Sequence, residues 1–240
     1  MRTLGIDLAS SPLRTGMCVL EWGHGGATAQ VLEVGAEDGR LLELCRESDV
    51  VGIDAPFGWP EAFRELVSAR AGPGSWSPAR RDELRFRRTD RRVREATGRW
   101  PLSVSSDLIG VPAMRCVRLL AALGVTDRSG DGRVFEVYPA AALACWGLRS
   151  TGYKKAKSHA RRLQLVQELI GRTPWMAWTP EVVAAAEAND DLLDALLASF
   201  MGRAVALGMT ETLMEADREA GRLEGWIHLP MPDSLAGLGG

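Results

Sequence analysis

Early in the chain, apolar residues come in short runs separated by glycine and polar turns. TLGIDLA (3–9), GMCVLEW (16–22) and ATAQVLEVG (27–35) read as three strands. Their short links favour an antiparallel meander. EDGRLLELCRES (37–48) then places Leu41, Leu42 and Cys45 at helical spacing and leads to a fourth apolar run, VVGIDAP, at 50–56. Two of these runs share an ending: LGIDLA and VGIDAP both finish Ile-Asp-x, with the acid at the same phase of the strand. In a parallel arrangement, Asp7 and Asp54 stand side by side at the strand ends.

From Pro56 to about residue 133 the pattern breaks into short helical pieces with glycine and proline between them, including GPGSW at 72–76. The stretch closes on VPAMRCVRLLAALG, an amphipathic helix ending at Gly124. RVFEVYPAAALACWGL (133–148) returns to strand and then helix, with Glu136 inside the strand and Pro139 in the first helical turn. SHARRLQLVQELIG (158–171) reads as a helix stopped by Gly171, and TPEVVAAAEAN (179–189) opens with a threonine cap and proline. NDDLLDALLASF begins a long helix reaching about Leu207, and TETLMEADREAGRLEG predicts another before the strand-like WIHLPMP.

This order predicts an α/β fold, a mixed five-stranded sheet with helices on its faces. One domain spans 1–208, interrupted at about 57–130 by a mostly helical, cap-like insertion after the fourth strand. Residues 209–240 add a C-terminal helix and tail packed on the core.

The 240 residues, 46% of them hydrophobic, are enough for a sizeable core. A formal net charge of −2 argues against a wholesale polycationic binder, though local basic faces are compatible with it. The four cysteines are far apart and form no C-x-x-C pair, which fits a reduced, cytoplasmic location. No run of 18 uncharged apolar residues is present, so no membrane span is expected.

Functional residues of such sheets gather at strand C-terminal ends. A late helix can bring Asp191 and Asp194, three apart and on one face, over Asp7 and Asp54. Converging carboxylates without histidine or cysteine are the ligand set of a hard cation, Mg2+ or Mn2+. Asp7, Asp54, Asp191 and Asp194 are therefore the candidate metal ligands, and with Glu136 the candidate catalytic acids. Each also has a local explanation. Asp7 can cap a turn with Ser10 or Ser11, Asp54 can fix the turn before Ala-Pro, Glu136 can face solvent at a sheet edge, and Asp190 or Asp191 can cap a helix.

Two basic segments offer phosphate contacts. RRDELRFRRTDRRVREATGR (80–99) holds nine arginines against four acids, and RSTGYKKAKSHARR (149–162) holds six basic residues and no acid. Arg88, Arg91, Arg92, Lys154, Lys155 and Lys157 are the candidate substrate-binding residues. A solvated helix face and a soluble loop are the alternative readings.

GIDLA (5–9), GIDAP (52–56), RRTDRRVR (87–94), FEVYPAAAL (135–143) and NDDLLDALLAS (189–199) together resemble the DUF429 family, a group predicted to be nucleases with a ribonuclease H-like fold. The resemblance runs from residue 3 to about residue 208. It implies that the first strand supplies Asp7, the fourth Asp54, and the final core helix Asp191 and Asp194. In the wider resolvase-like superfamily the fourth-strand acid is commonly glutamate, and aspartate here is a shorter arm.

The expected function is a divalent-metal-dependent phosphodiester hydrolase, a nuclease, acting on nucleic acid. The alternatives are a small-molecule phosphohydrolase or phosphotransferase taking a phosphorylated small molecule, and a non-catalytic binding protein. DNA, RNA and nucleotide substrates, endo and exo cleavage, and the oligomeric state stay open.

Overall fold

Five strands form one mixed sheet in the order β3-β2-β1-β4-β5. β1 (Arg2–Asp7), β2 (Gly16–Gly23) and β3 (Gly26–Val34) make the antiparallel meander. After helix α1 (Asp38–Glu47), β4 (Val50–Asp54) returns parallel to β1, and β5 (Val134–Glu136) lies parallel to β4. The structure is a computed structural model that describes residues 1–68, 72, 76–130 and 132–240. Most of GPGSW lies outside the described residues.

Between β4 and β5 come the short helices α2 (Glu61–Val67) and α3 (Arg81–Arg85), then α4 (Arg88–Thr97) and α5 (Gly110–Ala122). After β5 follow α6 (Pro139–Cys145), α7 (His159–Arg172), α8 (Pro180–Ala188) and α9 (Asp190–Ala206). Gly171 sits inside the last turn of α7 and does not stop it, because Thr173 provides the cap. The charged segment after α9 is helical only as a 3-10 turn at Glu215–Asp217 and α10 (Arg218–Glu224). WIHLPMP adds no strand and makes single bridges, Ile227 to Glu136 and Pro230 to Thr210. Among the described residues no helix is long and apolar enough to cross a membrane.

Strand alternation divides the core. Leu4, Ile6, Val51 and Ile53 point to one face, where they pack with Leu41, Leu44, Cys116 and Leu119 of α1 and α5. Thr3, Gly5, Asp7 and Val50, Gly52, Asp54 share the opposite phase, which α9 covers. The middle of α9 is buried all round, from Asp191 to Gly202, as expected of a helix at the centre of a core.

Glycine sets how close α9 comes. A Cβ on Gly5 would lie 2.0 Å from the Ala195 carbonyl oxygen, one on Gly52 2.5 Å from that of Ala198, and one on Gly16 2.3 Å from that of Asp191. The helix therefore rests backbone against backbone on β1, β2 and β4. Where the two surfaces meet, Thr3 and Ser199 share a buried hydroxyl hydrogen bond of 2.6 Å, and Trp22 Nε1 donates to Thr3 Oγ1 at 2.9 Å.

Candidate metal centre

The β1–β4 register pairs Asp7 directly with Asp54, as the matching strand phases predict. Asp194 is one turn into α9, on the side that the glycines bring down onto the sheet. Oxygen atoms of Asp7, Asp54 and Asp194 all lie within 4.8 Å of one another, and among the described residues these three form a group able to hold a metal ion. Asp194 is buried and accepts a 2.8 Å hydrogen bond from the Tyr153 hydroxyl. Lys154 Nζ lies 2.5 Å from Asp194 Oδ2 in an ion pair. Beyond that ion pair, the oxygen has no hydrogen-bond partner among the described residues. The Lys154 side chain is 44% exposed, yet its ammonium end reaches down among the carboxylates.

The electrostatics are those of an anionic site short of positive charge. Burial, followed by the charges of Asp194 and Asp54, raises Asp7 well above the usual carboxylate pKa, while Lys154 acts against the rise. Asp54 is pushed up to about 7, chiefly by burial and also by Asp194 and Glu136, with Lys154 again opposing. Asp194 is raised by burial as well, against the pull of Lys154 and Tyr153. For Lys154 itself burial disfavours the charge, but Asp194, Tyr153, Asp54 and Asp7 outweigh it and keep the amine protonated. One lysine leaves most of the negative charge unmatched.

The remaining predicted site residues are placed differently. Asp191 adjoins the triad but is held by Arg14, whose Nε donates to Oδ2 at 2.9 Å and Nη2 to Oδ1 at 3.3 Å. Asn189 caps α9 by accepting from the Asp191 amide. Asp190 accepts from the Lys155 amide and lies 3.8 Å from Arg162. Glu136 is in register with Ile53, one residue short of Asp54, so it takes the other phase of the sheet. It is buried rather than solvent-facing, and accepts from Arg87 at 2.7 and 2.9 Å and from the Phe57 amide at 3.0 Å. Arg88 pairs with Asp217 at 2.5 Å, and Arg92 pairs with Glu211 and Glu95.

Arg87 was not singled out from the sequence, yet it is the arginine that lines the cleft above the acids. It is buried and bridges Asp90 and Glu136, with a further bond to the Glu224 carbonyl. Burial opposes its charge, but the two acids more than compensate and hold it above its ordinary pKa. Asp90 also accepts from the Arg87 amide, as the third-residue acid of a capping box does. That spacing of arginine, two residues and aspartate was the available signal. Lys154 lines the same cleft.

Fold and site together define an α/β protein with a three-aspartate, metal-type centre at the C-terminal ends of two parallel strands. The family described as "Protein of unknown function (DUF429)" matches residues 5–219, and the chain belongs to that family. No curated protein and no solved structure matches it.

Proposed function

We propose that this chain is a divalent-metal-dependent phosphodiester hydrolase of the nuclease type, with Asp7, Asp54 and Asp194 holding Mg2+ or Mn2+. The observation that carries the reading is the convergence of three carboxylates within 4.8 Å at adjacent strand ends. Oxygen-only donors suit a hard cation, and their raised pKa values mark a site that gains by receiving one. A cation bound there would supply Lewis acidity toward a phosphate oxygen and a more acidic water. Tyr153 fixes the rotamer of Asp194, and Lys154 brings a positive charge to the place where a phosphate would add negative ones.

Bis(p-nitrophenyl) phosphate provides the test, since it needs no particular recognition. Magnesium- or manganese-dependent release of nitrophenolate, abolished by chelator and by Asp7→Asn, is the expected result. Absence of turnover, or equal turnover in Asp7→Asn, would overturn the proposal.

The Lys154 contact favours a second reading, in which the ammonium is the resident cation and the protein binds without catalysis. Under that reading the wild type binds no manganese, and Lys154→Met gains the ability. Under the first reading the wild type binds manganese already.

A further inference from the structure

The acids open into a cleft of about 450 Å³ whose lining goes beyond what hydrolysis at a metal requires. Pro101, Leu102, Ile109 and Pro112, from the segment entering α5, give it an apolar wall, and Tyr138 and Ile227 add to its apolar lining. Ser150, Thr151 and Lys154, in the loop after α6, contribute hydroxyls and an ammonium beside the aspartates.

The wall is built in advance of any ligand. Trp100 stacks on Phe86 at 4.0 Å, Ser103 Oγ donates to the Arg85 carbonyl at 2.7 Å, and Asp107 accepts from the Ser103 amide at 2.7 Å. Its proline, leucine and isoleucine side chains carry no polar atoms, so they select by shape and apolar area rather than by hydrogen bonding.

The cations argue in the same direction. A nucleic-acid chain is gripped by many lysines and arginines along its phosphates. Here Arg87 spends its guanidinium on Asp90, Glu136 and the Glu224 carbonyl, while Arg88 and Arg92 are tied to acids of their own. Lys155 and Lys157 do not line the cleft. Its volume falls within the roughly 300–1,000 Å³ of small-molecule sites.

We infer that the substrate is a small phosphate ester bearing one flat group of about nucleoside size that presents an apolar face. That group sits on the wall of Pro101, Leu102, Ile109 and Pro112, with the phosphate over the aspartates. The inference rests on the hydrolase reading above and narrows it from nucleic acid to a compact ester.

Calorimetry in magnesium tests it with three probes: methyl phosphate, thymidine 5′-monophosphate and an oligothymidylate. The nucleotide should bind at least about tenfold tighter than methyl phosphate, a difference of about 1.4 kcal/mol that burial of a modest apolar surface supplies. Leu102→Ser, which removes apolar area without adding charge, should shrink that affinity ratio, while the oligothymidylate binds no tighter than the mononucleotide. Leu102 is already 57% exposed, so this variant should keep the wild-type melting curve, and Ile109→Ser provides a second uncharged perturbation of the wall. Equal binding of nucleotide and methyl phosphate, no binding of either, indifference to both substitutions, or much tighter binding of the oligomer would each overturn the inference. Failure of bis(p-nitrophenyl) phosphate hydrolysis would instead sink the catalytic reading, and this comparison of affinities would stand apart from it.

Discussion

Asp7 and Asp54 are direct partners across the parallel β1–β4 pair, so backbone register itself presses their carboxylates together. With Asp194 above them, the cluster opposes its own ionisation, and the fold carries that cost wherever no cation is bound.

The pH dependence of metal-free stability should therefore run opposite to that of an ordinary carboxylate protein. Both strand-end acids have folded pKa values above their unfolded ones, Asp54 at about 7. The Asp54 contribution is fully present below the unfolded value of about 3.9 and is lost as pH rises through about 7, and that of Asp7, raised in the same direction, is likewise lost on the alkaline side. Melting curves in chelator should give a lower Tm near pH 8 than near pH 5. Magnesium or manganese should reverse the loss, and Asp7→Asn should reduce both effects. A chelated Tm that climbs between those pH values would contradict the assignment.

The two helix acids should separate in metal affinity. Asp194→Asn removes a member of the triad, whereas Asp191→Asn releases Arg14. Manganese binding in Asp194→Asn should fall beyond the roughly 10–100-fold typical of losing a supporting residue, and Asp191→Asn should stay within it. The reverse order in a calorimetric titration would show that Arg14 is displaced when metal binds.

Glycine substitutions should distinguish close approach from mere flexibility. Gly5→Ala forces a Cβ into the α9 backbone, and a loss of about 1–3 kcal/mol or more is expected, together with weakened metal binding. Gly39→Ala, in the first turn of α1 with nothing within 4 Å, should be neutral or gain up to about 1 kcal/mol. Urea unfolding of the two variants makes the comparison.

The buried arginine should matter far more than its neighbours. Arg87→Met leaves Asp90 and Glu136 without their cation and should cost about 3–5 kcal/mol, with Glu136→Gln on top recovering part of it. Arg88→Met, at an exposed pair, should stay within about 0.5 kcal/mol. Equal losses in urea would refute the distinction.

What the sequence disclosed was whatever depends on phase along one element. The paired Ile-Asp endings located Asp7 and Asp54 because side-chain alternation and parallel pairing suffice to bring them together. The mixed five-stranded sheet was legible for the same reason. Asp191 and Asp194 share a face at three-residue spacing, but only the tilt of α9, set by Gly5, Gly16 and Gly52, decides which of them reaches the strand ends. In RRTDRRVR, five arginines look alike until the tertiary structure buries one, and the capping distance from Arg87 to Asp90 was the lone local hint. Glu136 shows the same limit: its alternation was clear, but the half-step offset from Asp54 follows from the β4–β5 register, which no single strand encodes.

Close backbone contact at Gly5, Gly16 and Gly52 leaves α9 little room to shift on the sheet. The floor of the site is thus a rigid plate, and the spacing of its three acids is inherited from main-chain geometry rather than assembled on arrival of a ligand. Adaptation is left to the walls, the loop with left-handed Gly152 and Lys155 on one side and the entrance to α5 on the other. A substitution in those walls can therefore change the shape of the cleft without moving the acids on the plate.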